Sequence, residues 1–182
     1  MSRTDARIRY TQGVLKQALL SFLQEKPINK ITVKEVCERA ELNRATFYAH
    51  YSDCFALLES IEEDLLEAFQ QSLKLVDSFD VTALIEAIYT MIEQQQEACR
   101  VLIFQNVCPN VLRRMISLAR GKSIAYWKQH LHRVTDAELE MLYTHLSNGL
   151  MHVVVEGYEK YSREEVVRFV NRIVRCSLSQ FQ

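Results

Sequence analysis

Apolar residues recur every three or four positions over long stretches of the chain, the spacing of helices that bury one face. One stretch covers residues 4–25 and ends before Pro27, which cannot continue a helix. A second covers residues 52–76. Further helices are predicted near 81–97, 98–107, 110–132, 136–159 and 163–181. With two short helices described next, the pattern predicts an all-α protein of about nine helices.

Two short helices are predicted between the first two long ones. Thr32 and Glu35 have the spacing of a capping box, in which a hydroxyl and a carboxylate satisfy the free amides of a helix start. Glu41-Leu42 turns the chain, and Asn43 can cap the next helix. Two short helices around a tight turn form a helix-turn-helix, and the first long helix provides the surface on which they pack.

Composition supports a globular helical protein. Hydrophobic residues make up 48% and charged residues 25% of the 182 positions, which provides for a real core. Only four glycines and two prolines occur, too few for an all-β fold with many tight turns. Apolar runs such as 101–104 are far too short to cross a bilayer, and the N-terminus lacks an apolar signal-peptide core. We therefore expect a cytoplasmic protein without a membrane segment.

Charge is unevenly distributed along the chain. The net charge is only −1, but residues 1–51 carry +4 and residues 52–182 carry −5. A basic N-terminal third indicates that this end meets a polyanion, although the asymmetry is modest.

The sequence offers no chemistry typical of an enzyme or a metal site. The five cysteines contain no C-x-x-C pair and are odd in number, so buried reduced thiols are the expected state. His130 and His132 point to nearly opposite sides of a helix, and His145 and His152 lie two turns apart. We expect no catalytic residues, no metal and no cofactor.

Residues 5–58 resemble the DNA-binding domain of TetR/AcrR-family transcriptional regulators. Two runs carry the resemblance, Ile31-Thr32-Val33-Lys34-Glu35-Val36 and Leu42-Asn43-Arg44-Ala45-Thr46-Phe47-Tyr48-Ala49-His50-Tyr51. The rest of the chain is similar to the family in helical layout, and Asn148-Gly149-Leu150 resembles a subgroup common in low-GC Gram-positive bacteria.

The resemblance implies a nine-helix homodimer, usually a repressor of operator DNA that a small molecule releases. It divides the chain into a DNA-binding domain, 1–52, and a ligand-binding and dimerisation domain, 53–182. Thr32 and Lys34 would contact phosphate, and Tyr48 and His50 would reach the DNA backbone. The residues that would face the major groove are Asn43, Arg44, Ala45 and Thr46.

Some of these residues also have a purely structural interpretation. We expect Phe47 to lie in the core, and one of Tyr48 and Tyr51 to pack while the other reaches out. Thr32 serves as a helix cap whether or not it touches DNA, and Arg44 could be a solvated surface charge.

Two positions depart from the family pattern. Glu41 stands at the turn where many relatives have glycine, and a left-handed backbone there would cost about 1 kcal/mol. Cys54 stands where many relatives have lysine, so one phosphate contact per subunit would be missing. These departures motivate a second hypothesis, a TetR-like dimer that acts through a protein partner with weakened or lost operator binding. A third hypothesis is a structural or nucleoid-type binder without sequence preference.

The C-terminal helices contain the predicted dimer interface and ligand pocket. The interface residues on the last two helices are Leu146, Leu150, Val153, Val154, Val166, Val170, Ile173 and Val174. The pocket, for an apolar or amphipathic small molecule, is expected among helices four to eight. Its candidate walls are Phe69, Tyr89, Ile92, Phe104, Met115, Tyr126 and His145.

Overall fold

The computed structural model describes residues 3–75 and 79–181. Within these residues the chain forms nine α-helices and no strand, which confirms the predicted fold class. The helices are α1 (Arg3–Leu23), α2 (Val33–Arg39), α3 (Arg44–Tyr48), α4 (Cys54–Ser72), α5 (Thr82–Gln94), α6 (Gln96–Cys99), α7 (Pro109–His130), α8 (Asp136–Gly157) and α9 (Arg163–Leu178).

Two element boundaries differ from the sequence prediction. The fourth helix was expected to reach Val76, which lies outside the described residues; α4 ends at Ser72 and a 3-10 turn, Leu73–Leu75, follows it. The helix predicted over 98–107 consists of the one-turn α6 and a π-helical segment, Arg100–Phe104. The wider π-helical turn departs from the 3.6-residue period, and periodicity in so short a segment does not reveal it.

The first of two compact units comprises Met1–Leu65 together with Glu97–Val107. Its fully buried side chains come from α1, α2, α3, α4 and the π-helical segment, and include Leu15, Leu19, Val36, Phe47, Leu57, Val101 and Leu102. On its surface, Lys16 Nζ lies 2.6 Å from an Asp64 carboxylate oxygen and joins α1 to α4. Helices α2 and α3 are too short to be stable alone, so this shared core holds them in place.

The second unit comprises Leu66–Gln96 and Cys108–Gln182. Helix α7 packs on α8, and α9 packs on both α5 and α8. Arg163, the first residue of α9, forms ion pairs with Glu86 and Glu93 of α5. Thr135 and Ser162 begin α8 and α9 with capping boxes, in which the hydroxyl and the carboxylate have the same spacing as Thr32 and Glu35. The division at residue 52 remains a functional prediction, because the compact unit that holds the short helices extends along α4 to Leu65.

Two further expectations concern the state of the cysteines and the lack of a membrane-spanning helix. None of the five cysteines, all of which lie within the described residues, forms a disulfide; Cys37, Cys54 and Cys99 are buried, Cys108 is half-buried and Cys176 is exposed. Among the described residues, no helix combines the length and the apolar character that crossing a membrane requires.

Candidate functional site

Helix α2 begins in a fully formed capping box. The Glu35 amide donates to the Thr32 hydroxyl oxygen at 3.3 Å, and the Thr32 amide donates to the Glu35 carboxylate at 2.9 Å. Lys26 Nζ lies 2.6 Å from the same carboxylate. The hydrogen bond from Lys26 and those from Thr32 hold the pKa of Glu35 at about 2. Thr32 is exposed, but both its amide and its hydroxyl already donate to Glu35, so a phosphate contact requires an exchange of partners.

The third helix carries the side chains that the sequence assigns to DNA. Asn43 caps this five-residue helix, and its Oδ1 accepts from the Thr46 amide at 2.7 Å and the Thr46 hydroxyl at 3.0 Å. These bonds hold the start of the helix in one conformation. Arg44 and Ala45 are exposed beside them, so the residues predicted to face the major groove lie together at the start of α3.

The rest of α3 separates core from surface. Phe47 is fully buried, Tyr51 is 8% exposed and Tyr48 is 57% exposed. The ring of Phe47 meets that of Tyr48 edge-on, with centroids 5.6 Å apart. Phe47 therefore packs in the core as expected, and of the two tyrosines Tyr51 packs while Tyr48 reaches outward. His50 is half-buried.

Lys34 lies on the exposed side of α2. Its Nζ is 3.7 Å from a Glu38 carboxylate oxygen, and both side chains are 63% exposed. An exposed pair of this kind contributes about 0–1 kcal/mol, so Lys34 can exchange Glu38 for a phosphate at little cost.

The turn between α2 and α3 has left-handed backbone at Glu41, with φ of 53°. The Leu42 amide donates to the Cys37 carbonyl at 2.9 Å, and the Glu41 amide donates to the Glu38 carbonyl at 3.3 Å. This pair of bonds is a Schellman motif, which usually has glycine at the left-handed position. The strain that the sequence suggested at Glu41 is therefore present.

Replacing Glu41 by glycine should stabilise the protein by about 1 kcal/mol, because it removes the clash of Cβ with the left-handed backbone. For a chain of this length, this corresponds to a melting temperature about 2–4 °C higher. Thermal unfolding followed by circular dichroism measures the shift. Glu41→Ala is the matched control, since it removes the charge but keeps Cβ; an equal gain from alanine would attribute the effect to charge.

The start of α4 carries one neutral and one acidic side chain. Cys54 is 4% exposed, and its burial raises the pKa of the thiol to about 11. The Asp53 carboxylate accepts the Ala56 amide at 2.8 Å and caps the helix. Asp53 and Cys54 therefore give this helix start a capping carboxylate and a neutral, inward-facing thiol, and neither residue offers a cation to a phosphate.

A cavity of about 80 Å³ lies in the second unit. Its walls come from the end of α4, α5, α7, α8 and α9, and include Phe69, Leu73, Ile88, Ile116, Ala119, Ser123, Trp127, Tyr143 and Ser147. Among the described residues, none that lines it is charged. Burial raises the pKa of Tyr143 to about 12, which keeps its phenol neutral.

The structure brings only one of the seven predicted pocket residues into this cavity. Phe69 lines it, whereas His145 is exposed and lines a groove formed by α8 and α9. Tyr126 is half-buried, with its ring stacked on His130 at 4.1 Å. Phe104 belongs to the first unit. The remaining three are buried away from the cavity lining: Tyr89, Ile92 and Met115.

Sequence reasoning missed the wall that α7 supplies. Ile116, Ala119, Ser123 and Trp127 recur at steps of three and four, so they share one side of the helix. Small residues flanked by larger apolar ones at helical spacing are the signal that was available, because small side chains leave room against a neighbouring helix.

The predicted interface residues on α8 and α9 fall into two groups. Leu146, Val154, Val166, Val170 and Val174 are buried within the subunit itself. Leu150 and Val153 are half-buried, and Ile173 is 40% exposed. Two grooves, of about 190 Å³ and 550 Å³, share Val153 and Phe169. We give the name α8–α9 face to six exposed residues of these two helices: Met141, His145, Gly149, His152, Phe169 and Ile173. The larger groove is also lined by the exposed residues Glu156, Tyr161 and Glu165.

Comparison with known sequences gives one partial relative. No protein-family model matches the chain. A 62-residue segment is 37% identical to YxbF of Bacillus subtilis (strain 168), an uncharacterized HTH-type transcriptional regulator. The match covers 34% of this chain and 16% of that relative, so it concerns a single segment of a much longer protein.

Comparison with solved structures covers nearly the whole chain. A TetR transcriptional regulator from Streptococcus agalactiae 2603V has a TM-score of 0.67 at 24% identity, covering 94% of this chain and 97% of that one. The fatty acid degradation regulator FadR from Bacillus halodurans has a TM-score of 0.59 at 14% identity, covering 90% and 93%. These likenesses show a shared fold.

Proposed function

The chain has the fold of the TetR/AcrR family, and we propose that it is a DNA-binding transcriptional regulator, a repressor that a small-molecule inducer releases. The observation that carries the proposal is the start of α3. There Asn43 holds the helix in place, Phe47 anchors it in the core, and Arg44 and Ala45 remain exposed. A rigid, short helix that presents a guanidinium and small side chains is suited to reading base edges in the major groove.

The proposed contacts divide into those that read bases and those that bind phosphate. Arg44 can pair bidentately with guanine, while Asn43, Ala45 and Thr46 lie beside it. Lys34 and Thr32 at α2, and Tyr48 and His50 at the end of α3, contact the sugar-phosphate backbone. Since Asp53 and Cys54 supply no cation at α4, the proposed operator contact depends on α2 and α3.

We propose a homodimer through the α8–α9 face. Two recognition helices about 34 Å apart, or a multiple of this distance, read successive major grooves on one side of duplex DNA. Phe169 and Ile173 are 43% and 40% exposed in the single subunit, and a second copy would cover them. Gly149 has no neighbour within 4 Å of an added Cβ, which leaves room for a partner helix.

Replacing Ile173 by glutamate should dissociate this dimer, because it would bury an unpaired charge at a cost of about 3–5 kcal/mol. Sedimentation velocity at micromolar concentration measures the change from dimer to monomer. Thr90→Glu places the same charge on the exposed side of α5 and should leave the dimer intact.

An unchanged dimer in the Ile173→Glu protein would place the interface elsewhere. Val170 is unsuitable for this test, although it belongs to the predicted interface. It is only 4% exposed within the subunit, so a glutamate there would disrupt folding as well as assembly.

We propose that the inducer occupies the cavity of the second unit. The end of α4 contributes Phe69 and Leu73 to its wall, and Lys122 Nζ of α7 donates to the Leu73 carbonyl at 2.7 Å. A ligand between α4 and α7 acts on this bond and on the helix that leads back to Cys54. A tenfold loss of DNA affinity requires about 1.4 kcal/mol of coupling, and operator DNA must weaken the ligand by the same factor.

The second candidate function is a dimer that acts through a protein partner without an operator of its own. The carboxylate at the start of α4 favours this alternative, because it repels phosphate. The capped α3 with exposed Arg44 favours DNA binding.

A mobility-shift titration with the DNA that flanks the protein's own gene distinguishes these functions. The regulator is expected to shift this fragment in the presence of excess unrelated DNA. Equal shifts of the flanking fragment and of an unrelated fragment of the same length would indicate a binder without sequence preference. No shift of the flanking fragment at low salt would favour action through a protein partner.

A further inference from the structure

The cavity of the second unit has walls whose polar groups are largely committed to the protein itself. The Tyr143 hydroxyl donates to the Ile116 carbonyl, and the Ser147 hydroxyl donates to the Tyr143 carbonyl at 2.6 Å. These two groups lack a hydrogen to offer to a guest. Since none of the described residues that line the cavity is charged, an ionised guest would lose its hydration without a compensating ion from them.

Ser123 differs from the other hydroxyl groups in this wall. It lies on α7 between Ala119 and Trp127, and it makes no hydrogen bond with any other described residue. Ser123 is half-buried. A hydroxyl that lines an apolar space and has no partner among the described residues can donate to, or accept from, one polar atom of a guest. The wall therefore combines a broad apolar surface with one hydroxyl, that of Ser123, whose hydrogen is not committed to another described residue.

The volume of the cavity limits the size of its guest. About 80 Å³ is roughly half of the ~150 Å³ known for an engineered cavity that holds benzene. A guest with one ring must therefore displace part of the wall, which includes Phe69 and Leu73 at the end of α4. Guests smaller than a ring fit with little movement of the wall, whereas a guest with one ring displaces side chains at the end of α4.

We propose that this cavity binds an uncharged, mainly apolar molecule of about one ring in size, with one oxygen that pairs with the Ser123 hydroxyl. This inference rests on the proposed function, because it names the chemical class of the inducer. It excludes carboxylates, ammonium compounds and phosphorylated metabolites as ligands of this site.

Trp127 makes the proposal directly measurable. It is the single tryptophan of the chain and it lines the cavity, so its fluorescence reports on this site. Benzyl alcohol, toluene and benzoate are probes of similar size that differ in their polar group. We expect saturable changes with benzyl alcohol and toluene, tighter binding of the alcohol by about 2- to 10-fold, as for one neutral hydrogen bond, and benzoate binding at least about 10-fold weaker than toluene.

Two variants separate the serine contact from occupancy of the cavity. Ser123→Ala should remove the advantage of benzyl alcohol over toluene and leave toluene affinity unchanged. Ala119→Leu fills the cavity and should abolish the response to both neutral probes. The full-length protein is used throughout, and circular dichroism verifies that each variant is folded.

Three results would overturn the proposal: benzoate binding as tightly as toluene, no saturable response to either neutral probe, or a response that persists in folded Ala119→Leu protein. An unchanged preference for the alcohol in Ser123→Ala would overturn the assigned contact. Operator binding is measured separately by mobility shift. Failure of the probes with intact DNA binding contradicts only this inference, whereas probe binding without DNA binding contradicts the proposed regulator.

Discussion

Arg44→Ala should weaken binding to the specific operator by about 1–3 kcal/mol per subunit, which is roughly 5- to 150-fold. Arg44 is exposed at the first position of α3. Because Asn43 caps the start of this helix, the backbone that carries the Arg44 guanidinium is held in one conformation. Loss of a bidentate contact to guanine should also relax the preference at one base position. Fluorescence anisotropy with a set of singly substituted operators measures both effects.

Two variants provide the comparison for Arg44→Ala. Lys34→Ala should weaken all sequences alike and lower the salt dependence by about one unit per contact, as expected for a phosphate contact. Arg113→Ala removes the same charge from an exposed position of α7 and should leave binding unchanged. If Arg44→Ala binds its operator as tightly as the unmodified protein, α3 does not read the bases.

Leu102→Ala should destabilise the first unit by about 2–5 kcal/mol, the usual cost of truncating a buried leucine. Leu102 is fully buried in the π-helical segment, and this segment belongs to the same compact unit as the helix-turn-helix. Native-state hydrogen exchange should therefore show the largest loss of protection in α2 and α3. Operator binding should weaken as well, although Leu102 is no candidate for DNA contact.

Leu178→Ala is the matched control for Leu102→Ala. Leu178 is 1% exposed on α9 of the second unit, so the same truncation should reduce protection there first. Equal loss of protection in both units for both variants would show that the chain unfolds as one cooperative block.

The sequence predicted the helices and the helix-turn-helix well because their signals are local. Thr32, Asn43, Thr135 and Ser162 each cap a helix through an atom three residues away, and such contacts depend little on the rest of the fold. The left-handed backbone at Glu41 is also a local feature, because it depends only on the turn between α2 and α3. Local hydrogen bonds and backbone strain can therefore be predicted from a short window of sequence.

The cavity was predicted poorly because it depends on which helix faces are brought together. Apolar spacing identifies Tyr89, Ile92 and Met115 as inward-facing, and all three are buried, but it cannot distinguish packed core from the wall of a void. His145 has an apolar surrounding in sequence and an exposed position in the fold. Whether such a residue lies in packed core, in a cavity wall or at the surface depends on packing between distant parts of the chain, which the residue type at one position does not reveal.

The same limit applies to the interface residues of α8 and α9. Val154, Val166 and Val170 were grouped with Ile173 because all four belong to apolar stripes. The structure uses the first three to pack α8 and α9 within the subunit and leaves Ile173 40% exposed. A wide apolar stripe contains both an inner and an outer edge, and the sequence alone does not separate them.

The contribution of residues 97–107 to the first unit has a consequence for synthesis on the ribosome. The helix-turn-helix leaves the exit tunnel early, yet Val101 and Leu102, which belong to its compact unit, are still to be translated. At roughly 5–20 residues per second, the nascent unit must wait for several seconds with part of its apolar surface uncovered. The helix-turn-helix is thus synthesised before the segment that completes its core, and chaperone binding to nascent chains should be strongest in the interval between the two.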